Sequence, residues 1–336
     1  MKKMVALLLS LALLFSIASV IAEEAAEPVN PPKVAAILYT TRAQQAEIAD
    51  AKIASGMDEA QATKEACFEV MESMAEMGYQ GVQFWTVNFS IPAAELKAKA
   101  DELGLEIIAP HFHNMFSWTE EDWENNLAYL AELSCDSVVY PYDAPAGYDG
   151  TRPVTQKELE DWAAALGDGL EKSMHMIKSL GYDMQLIYHS HWNELITIDS
   201  LGVTLLDALY ERFDGELSIQ LDVAWASWPR TSLEVFGYTP FGNEGFEKYW
   251  MKRWNQYTET LHIKDVDFET SIPRAIGQGD IEWNALLPLF AKAGVDWFIV
   301  EDDFPEQGNR TGTEDLKVSI DYLKAMYQTL GWAWGE

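Results

Sequence analysis

Cysteine is almost absent from this chain: two in 336 residues, Cys67 and Cys135. Two cysteines cannot build a disulfide framework. Cys67 lies in a helical pattern and Cys135 just before a strand, so two buried thiols are expected rather than one bridge. Positive charge is also scarce. Lys and Arg number 23 against 54 Asp and Glu, for a net charge of −31. Such a surface repels phosphate backbones, so no nucleic acid is expected as a partner. It suits solubility and neutral or cationic ligands. Long apolar runs are confined to the N-terminus. Lys2 and Lys3, an apolar stretch from Val5 to about Ile21, and the small-residue site Val20-Ile21-Ala22 read as a signal peptide over 1–22. The stretch is short for a membrane span and no later segment approaches one, so no stable span is expected after cleavage. The alternative is an uncleaved N-terminal anchor. No Cys lies near the cleavage site, which argues against a lipoprotein anchor. Residues 23–32 (EEAAEPVNPP) read as a flexible leader. The expected location is secreted or periplasmic.

What is present from residue 33 onward is alternation. Strand-like runs fall at Val34–Tyr39, Gly81–Trp85, Glu106–Ala109, Ser137–Tyr140, Met184–His189, Ser218–Asp222, Leu261–Lys264 and Trp297–Glu301. Helical patterns lie between them: Ala60–Met77 ending at Gly78, a helix opened by Ser90-Ile91-Pro92 and closed by Gly104, Gln156–Leu180, Asn284–Ala293 and Glu314–Leu330. Strand–helix repetition without a break in composition predicts one α/β domain over 33–336, a (β/α)8 TIM barrel. The alternative is a doubly wound open sheet. No glycine-rich phosphate loop follows the first strand, which weakens that alternative. Two long loops are expected: Arg42–Asp58, and Val223–Glu244 with Trp225, Trp228, Phe236, Tyr238 and Phe241. Barrel active sites are built from such strand-to-helix loops. The aromatic residues are expected either to stack on sugar faces or to pack as a surface flap.

The chemistry gathers at the predicted strand ends. Tyr188-His189-Ser190-His191-Trp192-Asn193-Glu194 follows an apolar run. Burying that much ionisable chemistry is costly unless a metal or polar substrate satisfies it. On an extended strand His189 and His191 face the same side. Asp222 ends another strand, where it can point into the mouth or cap the next helix. His262 lies inside LHIKD, and Glu301 directly follows WFIV. A ring of Glu, Asp and His around a divalent ion suits Mn, Co, Mg or Zn. Lys264 shares a strand face with His262. It is expected either to act as an acid or base with its pKa lowered by burial, or to pair with Asp265 or a site carboxylate. His111 and His113 are candidates for substrate hydroxyls or proton transfer, with structural use as the alternative. Gly277-Gln278-Gly279-Asp280 reads as a tight turn. Arg274 before it is a candidate for a substrate hydroxyl or phosphate, or is simply exposed.

The ordered set of motifs resembles the sugar phosphate isomerase/epimerase family of the xylose isomerase-like barrel superfamily. The resemblance covers nearly all of the chain after the leader. Gly78-Tyr79-Gln80-Gly81-Val82-Gln83-Phe84-Trp85 is similar to the family's Gly-Tyr-x-Gly-Val-Glu-Phe. Glu95-Leu96 to Gly104-Leu105 resembles the helix that follows it. Tyr188 to Leu195 resembles Tyr-His-Asn-His-Asp-Phe-Glu-Phe. Leu221-Asp222-Val223, His262-Ile263-Lys264-Asp265, Gly277 to Trp283 and Val300 to Asp303 match its later motifs. The resemblance implies a divalent metal held by His189, Asp222, His262 and Glu301. Many relatives carry Glu where this chain has His189, so His191 and Glu194 are alternative ligands. Gln83 replaces the second-strand Glu and removes any acid role there. Ser190 and Trp192-Asn193 also depart from the pattern, so substrate contacts are expected to differ.

The expected function is a metal-dependent sugar isomerase or epimerase that abstracts a proton next to a carbonyl. Glu194, Glu301, His191 and Lys264 are the candidate catalytic groups. His111, His113, Trp225 and Arg274 are the candidate substrate contacts. The expected partner is a small sugar or keto-glycoside, with homo-oligomer formation left open. Loss of a β-substituent would instead make the enzyme a 3-keto-glycoside lyase. Two alternatives come from other classes. One is a secreted carbohydrate-binding protein without turnover. The other is a metal-dependent endonuclease on the same barrel, which the acidic charge argues against.

Overall fold

A computed structural model describes residues 30–141, 155–195, 197–198, 203–227 and 258–335. The expected signal peptide, most of the leader, and Trp228, Phe236, Tyr238 and Phe241 lie outside these residues. Eight strands form one sheet: β1 Lys33–Ile37, β2 Gly81–Gln83, β3 Glu106–Ile107, β4 Ser137–Tyr140, β5 Gln185–Ser190, β6 Ser218–Asp222, β7 Thr260–Ile263 and β8 Trp297–Val300. Their order is β3-β2-β1-β8-β7-β6-β5-β4, and all pairings are parallel. The seam between β3 and β4 is closed by His111, which bridges in parallel to Trp85 and to Val139. Phe112 N–H donates to Val139 O and Val139 N–H to Pro110 O, each at 2.9 Å. Closure removes the exposed sheet edges. The predicted third strand is cut to two residues, because Ala109 takes a positive φ of 28° and turns the chain toward that seam.

Side chains alternate across each strand, which sorts them into two cores. Val34, Ala36, Val138, Leu186, Tyr188, Ile219, Leu221, Leu261, Ile263, Phe298 and Val300 face outward and pack in the core that the helices share. Ala35, Ile37, Ile108, Val139, Ile187 and Ile299 fill the barrel interior. Both strand faces are buried, so the runs read as continuously apolar rather than alternating. The inward column turns polar two residues on. Ile187 is followed by His189, Gln220 by Asp222, His262 by Lys264, and Ile299 by Glu301. Period-two spacing thus stacks the polar groups at the C-terminal mouth.

The segment expected as a loop from Arg42 to Asp58 is mostly helix, α1 Arg42–Ala54. Its sequence RAQQAEIADAKIA lacks a clean apolar stripe but is rich in strong helix formers, and propensity decides where packing contributes little. The helix α2 Glu59–Met77 begins where the Asp58 carboxylate accepts Gln61 N–H, 3.0 Å, and ends at left-handed Gly78. Further helices are α3 Ala93–Leu103, α4 Glu120–Glu132, α5 Gln156–Ser179, α6 Leu205–Phe213, the short α7 Val223–Ser227, α8 Trp283–Lys292 and α9 Gly312–Leu330. A helix therefore follows every strand. Cys67 and Cys135 are free and buried, and burial pushes both thiols up to about 12. Among the described residues, no helix is long and apolar enough to cross a membrane.

The first turn of α9 carries a pH-sensitive group. Burial pushes the Asp315 carboxyl up to about 6 despite Arg310 Nη1 at 3.3 Å. The fold therefore favours its protonated form. That contribution is present below the ordinary carboxylate range and is lost as pH rises through about 6. Asp315→Asn is expected to flatten the stability profile between pH 4 and 7, by on the order of 2 kcal/mol. Urea melts across that range check it; an unchanged slope would refute it.

Candidate metal centre

The mouth of the barrel gathers buried polar groups from β5 to β8. His189 comes from β5, Asp222 ends β6, His262 lies on β7, and Glu301 directly follows β8. All four are at most 6% exposed. Candidate ligand atoms from the four lie within 4.8 Å of one another. His111, His189 and His262 form an overlapping group at the same separation. The His111 and His262 rings stack at 5.2 Å and 7°.

Lys264 supplies the cation at this centre. Its ammonium is fully buried, 2.9 Å from Asp222 Oδ2, 2.9 Å from Glu301 Oε2 and 2.6 Å from Asp303 Oδ2. The Asp222 contact is ionic, since Oδ2 is not aligned for a hydrogen bond. Burial acts to lower the pKa of Lys264, as expected from sequence, but Asp222, Asp303 and Glu301 together reverse it. The ammonium is held well above its usual range. The expected lowering is thus corrected, because the neighbouring charges outweigh desolvation. Burial pushes Glu301 up, but Lys264 and His262 outweigh it and hold the carboxylate well below its ordinary range. Burial raises Asp222 to about 7 and also raises Asp303. Burial holds His189 and His191 well below the usual imidazole range and His111 at about 3, so all three rings are neutral at pH 7.

The donor set fits a divalent ion. Two imidazoles and two carboxylates suit Mn, Co or Zn, with Mg favoured less by the nitrogens. Among the described residues, His189 Nδ1 is buried without a hydrogen-bond partner, an arrangement that is costly until something satisfies it. The charges point the same way. Among the described residues, Lys264 is the ion-pair partner of Asp222, Glu301 and Asp303, and a divalent cation would add positive charge beside these carboxyls.

The other predicted residues take distinct places. His191 Nε2 meets His189 Nε2 at 3.1 Å, so the two rings do face one side. The His191 ring stacks on Trp225 at 5.0 Å, and the Lys264 ammonium lies 4.9 Å from the Trp225 ring. Asp222 meets both expectations for it: Oδ1 accepts Trp225 N–H at 2.9 Å while Oδ2 faces Lys264. Glu194 is buried beside the cluster, where it accepts from the Tyr188 hydroxyl and, at 2.9 Å, from His191 N–H. His111 is buried with Nε2 2.8 Å from Gln220 Oε1, and Gln220 Nε2 donates to Thr260 Oγ1 at 2.9 Å. His113 is exposed at the rim, with Nδ1 2.8 Å from Thr86 Oγ1. Arg274 lies on a hairpin beyond β7, and its ion-pair partner is Asp267 at 3.7 Å rather than a cluster residue.

Asp303 and Gln83 are the residues that sequence reading did not place in this network. Asp303 stands two positions after Glu301, the same period that relates Lys264 to His262, and this was its signal. Asp265 is not the partner of Lys264. Its carboxylate accepts Val266 N–H (2.9 Å), Gly277 N–H (2.9 Å), Ile281 N–H (3.1 Å) and Trp283 Nε1–H (3.1 Å). It thereby organises the turn that the Gly277-to-Trp283 motif encodes. A Cβ at Gly279 would fall 2.4 Å from Asp265 Oδ1, so only glycine lets the turn close on the carboxylate.

Comparison with known proteins agrees with this fold. A sugar phosphate isomerase/epimerase from Parabacteroides distasonis superposes with a TM-score of 0.59 at 18% identity, covering 87% of this chain and 97% of that one. A D-psicose 3-epimerase from Clostridium cellulolyticum, solved with D-tagatose, gives 0.53 at 12% identity, with 77% and 93% covered. A 3-keto-D-glucoside 4-epimerase from E. coli gives 0.51 at 15% identity, with 78% and 94% covered. At these identities the likeness is one of fold. No curated protein sequence matches the chain. Residues 71–326 match the family described as xylose isomerase-like TIM barrel. With that match, the closed parallel barrel and the ordered strand-end motifs, this chain belongs to the xylose isomerase-like TIM barrel family.

Proposed function

We propose that this protein is a divalent-metal-dependent sugar isomerase or epimerase that moves a proton next to a carbonyl carbon. The observation that carries the reading is the buried His189–Asp222–His262–Glu301 cluster, with ligand atoms within 4.8 Å. His189, Asp222, His262 and Glu301 would hold the ion. When bound, that ion would polarise a substrate carbonyl and oppose the charge that grows on its oxygen. Lys264 adds a fixed positive charge at the same place, held too tightly by three carboxylates to give up its proton. His191 is a neutral imidazole at the edge of the cluster and is the proton acceptor. Glu194 holds the His191 backbone in position. Trp225 closes one side, and the buried Trp85 Nε1–H, which has no hydrogen-bond partner among the described residues, is a donor for a sugar hydroxyl. His111 and His113 offer further contacts.

The resemblance in fold to enzymes named for D-psicose and 3-keto-D-glucoside supports a keto-sugar as the substrate class. The signal-like N-terminus and the net charge of −31 favour an exported enzyme and an unphosphorylated substrate. The test is incubation with keto-sugars and 3-keto-glycosides in deuterated buffer, followed by NMR. Deuterium is expected at a carbon next to the carbonyl, only with Mn²⁺, Co²⁺, Mg²⁺ or Zn²⁺ present. Full exchange by metal-stripped protein would sink the metal reading. Release of a β-substituent would make the enzyme a lyase. Sugar binding without exchange would make it a carbohydrate-binding protein.

A further inference from the structure

Gln83 stands where the resembling family carries an acid, and its place in the network gives it a different task. The residue is fully buried on β2, facing the barrel interior. Its amide cannot be turned over freely. Gln83 Nε2 donates to Ala109 O at 2.7 Å, and an oxygen in that place would face another oxygen. Gln83 Oε1 is thereby fixed toward His262 Nε2, 2.7 Å away. An amide oxygen only accepts. His262 Nε2 must therefore carry hydrogen, and Nδ1 is the ring nitrogen that can exchange its contact with the Glu301 carboxylate for an ion. That nitrogen lies 2.9 Å from Glu301 Oε2, on the side where the other candidate ligands converge. The carbonyl that anchors Gln83 belongs to Ala109, the residue whose positive φ forms the seam of the barrel.

We infer that Gln83 is a positioning residue that commits Nε2 of His262 to a hydrogen bond and leaves Nδ1 as the only ring nitrogen for the ion. The inference rests on the metal reading proposed above. Partners of this kind fix the tautomer and orientation of a ligating imidazole and raise its basicity. Replacing the family's acid with an amide keeps the acceptor but adds no charge.

The experiment uses ¹⁵N-histidine-labelled protein, full-length, with Zn²⁺ as a diamagnetic probe. Long-range ¹H–¹⁵N spectra read the state of each ring nitrogen, and calorimetry reads Zn²⁺ affinity. In metal-free wild-type protein His262 Nε2 is expected to be protonated, and Zn²⁺ is expected to shift Nδ1. Gln83→Leu is expected to mix the tautomers and to weaken Zn²⁺ about ten- to a hundredfold. Gln83→Glu keeps an acceptor for Nε2 but sets an oxygen against Ala109 O, so it is expected to retain the Nε2-protonated ring in the spectra while losing stability. Coordination through Nε2, an unprotonated Nε2 in the metal-free protein, or unchanged affinity in Gln83→Leu would each overturn the inference while leaving the metal reading intact. Absence of Zn²⁺ and Mn²⁺ binding by wild-type protein would overturn both. The wild-type spectra decide the matter even if the leucine variant does not fold.

Discussion

Replacing His262 or Asp222 with alanine is expected to remove bound divalent metal and, with it, turnover. Each variant should lose about a hundredfold or more in ion affinity, as follows from deleting one of four converging donors. Turnover should fall by at least as much, because the ion is what opposes charge on the substrate oxygen. The two variants differ in their side effects. Asp222→Ala also frees Trp225 N–H and removes one partner of Lys264, so it perturbs the fold as well. His262→Ala leaves the Lys264 contacts in place and opens a cavity against His111. Calorimetry and elemental analysis of the purified variants check the ion, and the deuterium assay checks turnover. Wild-type metal content in either variant would remove that residue from the ligand set.

Lys264→Met is expected to have the largest effect on stability. The substitution leaves Asp222, Glu301 and Asp303 buried without the ammonium that joins them. Breaking a buried ion pair from one side costs roughly 3–5 kcal/mol, because uncompensated charge remains in the interior. The carboxyls would then be pushed further up. A raised carboxyl contributes stability below its ordinary pKa and loses it as pH rises, so the variant should recover as pH falls. Saturating Mn²⁺ should also recover much of the loss, by supplying the missing positive charge. Urea melts with chelator, with Mn²⁺ and across pH separate these effects. Wild-type stability of Lys264→Met in chelator at pH 8 would show that the ammonium does not balance the cluster.

The same cluster marks where sequence reasoning reached its limit. Strand ends were legible because alternation and polarity are local. WFIV followed by Glu301, and LHIKD around His262, announce themselves within a few residues. The helix over Arg42–Ala54 was not, since it lacks the apolar stripe that signals a packed helix. The charge state of Lys264 was legible only as one of two alternatives, and the structure bears out the pairing with site carboxylates. Burial alone predicts a lowered pKa, and only the three carboxylates brought from β6 and from the end of β8 reverse that direction.

Sequence alone thus determined the repeat, the barrel and the strand ends at which ionisable residues sit, because period-two alternation sets which side chains share a face. Tertiary structure decided which atoms meet. Gln83 and His262 lie 179 positions apart, and their hydrogen bond exists only because the sheet closes on itself. Closure and register place His189, Asp222, His262 and Glu301 within one ion's reach. These outcomes depend on distances across the barrel, which no local pattern carries.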